Sequence, residues 1–295
     1  MSVMIQADGV TKRYGQVDAL LDVSFSLEAG RSLALWGPNG AGKTTLIKAI
    51  LGLIDFRGAI AVDGVDARRA GKRVRSKIGY VPQEAVFYDW GVASTMGFYA
   101  RLKKADRGAI AALLDKLGLA EHARKPVPAL SGGLKQRLAL AVALLGDPPA
   151  LLLDEPMANL DAQARRDYLA LLSGLRREGK TLVFASHRVE EVEMLADEVL
   201  VLQAGRAAAT LKPAALRVWL QPEVDLAMWV PEEQRAAALA HLSRSGLAAR
   251  LNGRGTVVAR VRTDRKGQPL DALAQHGIPI LDFEVESHSA ENSDA

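Results

Sequence analysis

Residues 37–45 read Gly37-Pro38-Asn39-Gly40-Ala41-Gly42-Lys43-Thr44-Thr45, a complete match to G-x-x-x-x-G-K-[ST]. Glycines at this spacing let the backbone curl until its N–H groups converge on phosphate oxygens. A helix starting at the end of the motif then offers its positive N-terminus to the same anion. Every residue of the segment is a candidate for nucleotide contact, with the Lys43 ammonium reaching the β- and γ-phosphates and the Thr44 hydroxyl holding Mg²⁺. A second constellation stands at Leu151-Leu152-Leu153-Asp154-Glu155, an apolar run that ends in two adjacent acids. Asp154 is the candidate for the Mg²⁺ shell, and Glu155 for the group that orients or deprotonates a water attacking the γ-phosphorus. His187 follows the apolar run Leu182-Val183-Phe184-Ala185 and is placed to donate to the γ-phosphate. A third constellation, Leu130-Ser131-Gly132-Gly133, opens a helix: Ser131 can cap it, and Gly132 and Gly133 bring bare N–H groups to its N-terminus, making a second anion site. A single nucleotide has no evident need of both cradles within one chain.

The elements around these residues supply the context such chemistry requires. Ser32–Trp36 is short, apolar and free of glycine, as a buried parallel strand should be, and Leu46–Leu51 has helical composition. Residues 1 to about 80 alternate β-rich runs with turns, and residues 84 to about 145 read as helical. Beyond them Leu151–Leu153, Thr181–Ala185 and Glu198–Leu202 read as strands, with helices over Ala162–Arg177 and Val189–Leu195. Such alternation predicts an α/β fold with a parallel sheet covered on both faces, where ligands bind at the carboxyl ends of the strands. After Gly205-Arg206 the composition shifts to Ala, Leu and Arg. The pattern there predicts strands over 216–220, 247–251, 256–261 and 278–285, and helices over 231–243 and 270–276. That is a small α+β domain of βαββαβ order, from 207 to 286, followed by a polar tail over 287–295.

The chain has 295 residues, about half hydrophobic and about a quarter charged, enough for one sizeable core and a smaller second one. It contains no cysteine, which excludes disulfides and thiolate metal sites. The formal charge of +4 is spread along the chain, and its densest cluster, Arg68 to Lys77, reads as a solvated face or nucleotide-proximal surface rather than a nucleic-acid patch. No signal peptide is visible at the N-terminus, and Leu138–Leu145 falls short of the ~20 apolar residues of a membrane helix. The expectation is a cytoplasmic chain with no direct membrane insertion, reaching any membrane through a partner.

A phosphate loop alone leaves kinase, GTPase and transport ATPase open. With Leu130-Ser131-Gly132-Gly133-Leu134 added, the chain resembles the ATP-binding-cassette (ABC) ATPases over roughly residues 3–206. Its segment matches their Leu-Ser-Gly-Gly-Gln signature except for Leu134 in place of Gln. The resemblance implies a P-loop NTPase of the ABC type over 1–206, with an antiparallel β subdomain and a helical subdomain at about 84–145. It implies that Tyr14 stacks on adenine and that Gln83, in Tyr80-Val81-Pro82-Gln83, touches Mg²⁺ and the attacking water. Ala158-Asn159-Leu160-Asp161 is similar to the D-loop, which gives Asn159 and Asp161 a place at a dimer interface, and Ser186-His187 is similar to the switch histidine.

The implied cofactors are ATP and Mg²⁺. The implied assembly is a head-to-tail homodimer with ATP sandwiched between one chain's phosphate loop and the other's signature helix, driving separate transmembrane permease subunits from the inner face of the membrane. The small C-terminal domain resembles the module on export-type subunits. Its closing segment Ser289-Ala290-Glu291-Asn292 departs from the Ser-Leu-Glu-Asp form often found there. Phe98–Lys103 together with Ser186–Glu193 is similar to ATPase subunits of the copper-site maturation system of nitrous oxide reductase. Two other classes remain as alternatives: a soluble cassette ATPase acting on nucleic acid or ribosomes, and a catalytically silent ATP-binding regulatory module.

Overall fold

A computed structural model of the chain describes residues 2–221 and 223–287. The Ser289–Asn292 segment lies outside the described residues. In chain order the first half comprises β1 (Val3–Tyr14), β2 (Val17–Glu28), β3 (Ser32–Trp36), α1 (Lys43–Ile50), β4 (Arg57–Val62), β5 (Val65–Asp66), α2 (Gly71–Ser76), β6 (Ile78–Val81), α3 (Val92–Lys103), α4 (Ala109–Lys116) and α5 (Gly132–Leu144). Then come β7 (Ala150–Leu153), α6 (Ala162–Arg177), β8 (Thr181–Ala185), α7 (Val189–Leu195), β9 (Glu198–Gln203), β10 (Arg206–Leu211) and α8 (Pro213–Trp219). The rest is β11 (Glu223–Trp229), α9 (Arg235–Arg244), β12 (Ala248–Leu251), β13 (Val257–Arg262), α10 (Gln268–Ala274) and β14 (Asp282–Ser287).

The chain separates into two compact units, with the division after Leu216. In the first unit a six-stranded sheet runs β10-β9-β3-β8-β7-β6, parallel apart from the β10 edge. Every residue of β7 and β8 is buried, which is why these strands read as unbroken apolar runs instead of alternating. A four-stranded antiparallel sheet, β2-β1-β4-β5, shares one core with α1 and one face of the parallel sheet, where Ile5, Val10, Leu46, Ile47, Ile50 and Val183 meet. The Arg75 guanidinium donates to the Leu51 and Gly52 carbonyls at the end of α1, so the basic cluster also finishes that helix.

The parallel register sends β3, β6, β7 and β8 out at the same edge of the sheet. The segments that follow them, beginning at Gly37, Pro82, Asp154 and Ser186, therefore converge. Between β6 and β7, α3, α4 and α5 form the helical part of the unit, interrupted by loops and two short 3₁₀ turns.

The second unit is a four-stranded antiparallel sheet of order β12-β13-β11-β14, with Leu226, Met228, Val257 and Ala259 packed against Ala238 and Leu242 of α9 and Leu273 of α10. Two expectations are corrected here. Residues 216–220 are not a strand: Pro213 opens α8, and the turn that follows buries Leu216 while leaving Val218 and Leu220 exposed, a helical pattern. The first strand of the unit is instead β11, whose alternation Val224-Leu226-Met228 is masked in sequence by the intervening Asp225, a buried carboxylate that accepts from Arg260. The second region also begins later than residue 207, because Arg206–Leu211 pairs with β9 as an edge of the six-stranded sheet.

Since the two units have separate cores, a chain shortened after Gln221 is expected to fold and bind ATP. One shortened after Gly205 loses the β10 ladder and should melt several degrees lower. Thermal unfolding with and without nucleotide checks this; equal melting of the two, or loss of ATP binding by the longer one, contradicts it.

Candidate functional site

The phosphate loop is held where almost no side chain fits. A Cβ on Gly37 would lie 2.4 Å from the Leu202 carbonyl oxygen, and one on Gly42, at φ +106°, would lie 2.5 Å from that of Ala19. The loop is thus wedged against β9 and β2, and α1 begins at Lys43 directly behind it. Asn39, Gly40, Gly42, Lys43, Thr44, Thr45, Gln83 and Glu155 line a cavity of about 310 Å³. Pro38 contributes its carbonyl and Ala41 is buried behind the loop.

At and beside this cavity the charged groups sit close together. Lys43 is only 5% exposed. Its Nζ donates to the Gly37 carbonyl (2.8 Å) and the Pro38 carbonyl (3.1 Å) and lies 3.4 Å from Glu155 Oε1. Thr44 Oγ1 donates to Asp154 Oδ1 at 3.1 Å. Burial pushes the Asp154 carboxyl above its ordinary value, with the Thr44 hydrogen bond opposing and the Glu155 charge adding to it. Tyr80, on the neighbouring strand, is pushed up to about 12 by burial and by the Asp154 charge.

Glu155 occupies the left-handed region at φ 45°, a conformation that costs a non-glycine residue about 1–3 kcal/mol and concentrates at functional positions. That turn points its carboxylate back to Lys43 on one side and to His187 Nδ1, 3.8 Å away, on the other.

Asp154 and His187 touch lining residues without lining the cavity themselves, and the remaining sequence candidates also lie outside its lining. Tyr14 ends β1, about half exposed, with the Lys12 ammonium 4.8 Å from its ring centroid. Ser131 caps α5 as expected, its Oγ accepting from the Leu134 N–H at 3.3 Å, and Gly132 and Gly133 form the first turn. Asn159 is exposed at the end of the turn after Glu155, its carbonyl 3.9 Å from where a Gly132 Cβ would stand. Asp161 caps α6 through the Ala164 N–H at 2.8 Å. The structure thus gathers phosphate loop, Gln83, Asp154, Glu155 and His187 into one group, and leaves the signature turn beside the Asn159 segment as another. Sequence reasoning missed Arg165, Ser186 and Glu191, which join the exits of β7 and β8 outside the cavity lining. Nothing distinguishes Glu191 from its neighbours Glu190 and Glu193 except burial, which no local pattern reveals.

The chain is similar to known proteins over most of its length. The family model described as ABC transporter matches residues 20–158. The linearmycin resistance ATP-binding protein LnrL of Bacillus subtilis (strain 168) is 35% identical over 70% of this chain and 68% of its own length. The Nod factor export ATP-binding protein I of Burkholderia orbicola (strain AU 1054) is 39% identical over 70% of each chain. Among solved structures, a dimeric ATP-binding cassette in a post-hydrolysis state with ADP and Pi aligns at TM-score 0.65 and 26% identity, over 71% of this chain and 99% of that one. The chain belongs to the ABC transporter family, as one of its ATP-binding, ATP-hydrolysing subunits.

Because Asp154 is held above its unfolded value, its ionisation opposes folding of the nucleotide-free protein: this group's contribution to stability is greatest below its ordinary value and is lost as pH rises through the shifted one. Asp154→Asn should therefore melt higher than the parent chain at pH 7 without nucleotide or metal, and the gap should close toward pH 4. Each kcal/mol is worth about 2–4 °C in a unit this size. A lower melting temperature at pH 7 contradicts the assignment.

Proposed function

We propose that the site binds MgATP and hydrolyses it with Glu155 as the group that activates water, in a homodimer that drives separate permease subunits. The observation that carries this reading is the contact set of Glu155, which lines the cavity between the Lys43 ammonium and the His187 ring. A γ-phosphate in the loop meets Lys43 and the loop N–H groups. Glu155 then faces the water on its far side, and His187 donates to the phosphate as charge shifts onto it. Thr44 and Asp154 are hard oxygen donors already in contact, and suit Mg²⁺ with phosphate and water completing its shell. The metal would neutralise the phosphate charge. Gln83, lining the same cavity, is placed to contact that shell and the water. Tyr14 supplies an aromatic face for adenine.

Ser131, Gly132 and Gly133 present an anion-binding turn apart from the cavity, so we assign them to the partner chain's nucleotide, with Asn159 and Asp161 at the same interface. That arrangement makes ATP the bond between two copies. No helix among the described residues is long and apolar enough to cross a membrane. Attachment at the inner face therefore falls to a permease, and Tyr88, Trp90, Phe98 and Tyr99, an aromatic cluster just downstream of Gln83, form a surface suited to a short helix of that partner. Relatives named for Nod factor export and linearmycin resistance favour export. The likeness to nitrous oxide reductase maturation subunits rests on positions with other duties: Phe98 and Tyr99 in the aromatic cluster, Ser186 and Glu191 in a buried hydrogen bond.

Glu155→Gln keeps the shape and removes the charge. Phosphate release should fall by about 10²–10⁴-fold while MgATP binding persists, and the variant should elute as an ATP-loaded dimer in size exclusion. Near-normal phosphate release contradicts the role.

A further inference from the structure

Outside the cavity lining, the segments leaving β7 and β8 are joined by a largely buried chain of polar contacts. The Leu160 carbonyl, at the end of the turn that Glu155 begins, accepts from Arg165 Nη2 at 2.6 Å. Arg165 Nε and Glu191 Oε1 are both buried and have no hydrogen-bond partner, yet they face each other at 3.5 Å as an ion pair. The other oxygen of Glu191 accepts from Ser186 Oγ at 2.6 Å, and Ser186 Oγ in turn accepts from the Arg188 N–H at 3.0 Å. His187 lies between the two residues so tied. Glu191 is 5% exposed, so its charge is shielded from solvent and the pair must compensate its own desolvation.

We propose that Arg165 and Glu191 are positioning residues for ATP hydrolysis. They clamp the loop after β7 to the loop after β8, and so set Glu155 against His187 at the separation the water and γ-phosphate require. The proposal rests on the roles given above to Glu155 and His187. Neither clamp residue lines the cavity, and Lys43 and Thr44 stand on α1, so nucleotide affinity is expected to survive loss of the clamp while the chemical step does not.

The test is Glu191→Gln, which keeps the side-chain shape and a hydrogen bond to Ser186 but removes the charge opposite Arg165. Single-turnover hydrolysis with protein in excess and steady-state kinetics with MgATP should show kcat lowered about 10–100-fold, with KM changed less than about twofold. A residue that merely stabilises the fold would act equally in every background. A positioning residue acts through its target, so in a His187→Ala chain the same substitution should cost less than about twofold. If Glu191→Gln does not fold, Ser186→Ala breaks the same chain of contacts at small volume cost and should show the same loss and the same non-additivity. Unchanged kcat in either folded variant, a rise in KM alone, or an equal loss in both backgrounds overturns the clamp. An unchanged rate in His187→Ala by itself overturns the assignment on which the clamp rests.

Discussion

A nearly buried ammonium organises this structure. Lys43 is held by the carbonyls of its own loop and by Glu155, and a charge so enclosed is tolerable only because those oxygens surround it. The loop can supply them only because Gly37 and Gly42 press against the carbonyls of Leu202 and Ala19, where any side chain would collide. Those contacts in turn require β9 and β2 in place, so both sheets of the first unit bear on one cation. Under the proposed function, a triphosphate entering the cavity would exchange those carbonyl partners for anionic oxygens, which would couple ligand charge to strand order and to the acid after β7.

Polarity at the sheet edge follows the same logic. Asp154 is buried enough that its ionised form is disfavoured without a cation, and the Thr44 hydroxyl compensates only in part. Glu155, one residue on, is turned outward by its left-handed backbone into the cavity. Adjacent carboxylates thereby acquire different environments, one suited to a metal shell and the other to water.

The parts legible in the sequence were those whose signal is local. The phosphate loop, the capped helix Ala162–Arg177 and the strand Thr181–Ala185 stand where residue types and turns placed them, because caps and apolar runs are read within a few residues. Ser131 could be recognised as a cap for the same reason. Legibility failed where tertiary contacts overrode local preference. Leu216–Leu220 carries β-favouring Val and Trp yet falls largely within a helix begun by Pro213, and β11 hides behind a buried aspartate paired with arginines on β12 and β13. The Arg165–Glu191 pair was invisible for a third reason, since its members lie on different helices and their burial is set by packing.

One chain holds a glycine-rich loop lining a cavity and a second glycine turn that opens α5, but the residues of that turn do not line the cavity. The proposed function therefore requires a nucleotide shared between two copies. The chain has no cysteine, so Asn39→Cys and Ser131→Cys can be introduced into separate chains without background. Mixed under oxidising conditions with MgATP, in a Glu155→Gln background that holds the nucleotide, the two should form a covalent dimer that is absent without nucleotide. A double variant that closes its disulfide within a single chain, or a mixture that binds MgATP yet never cross-links, would contradict the shared site.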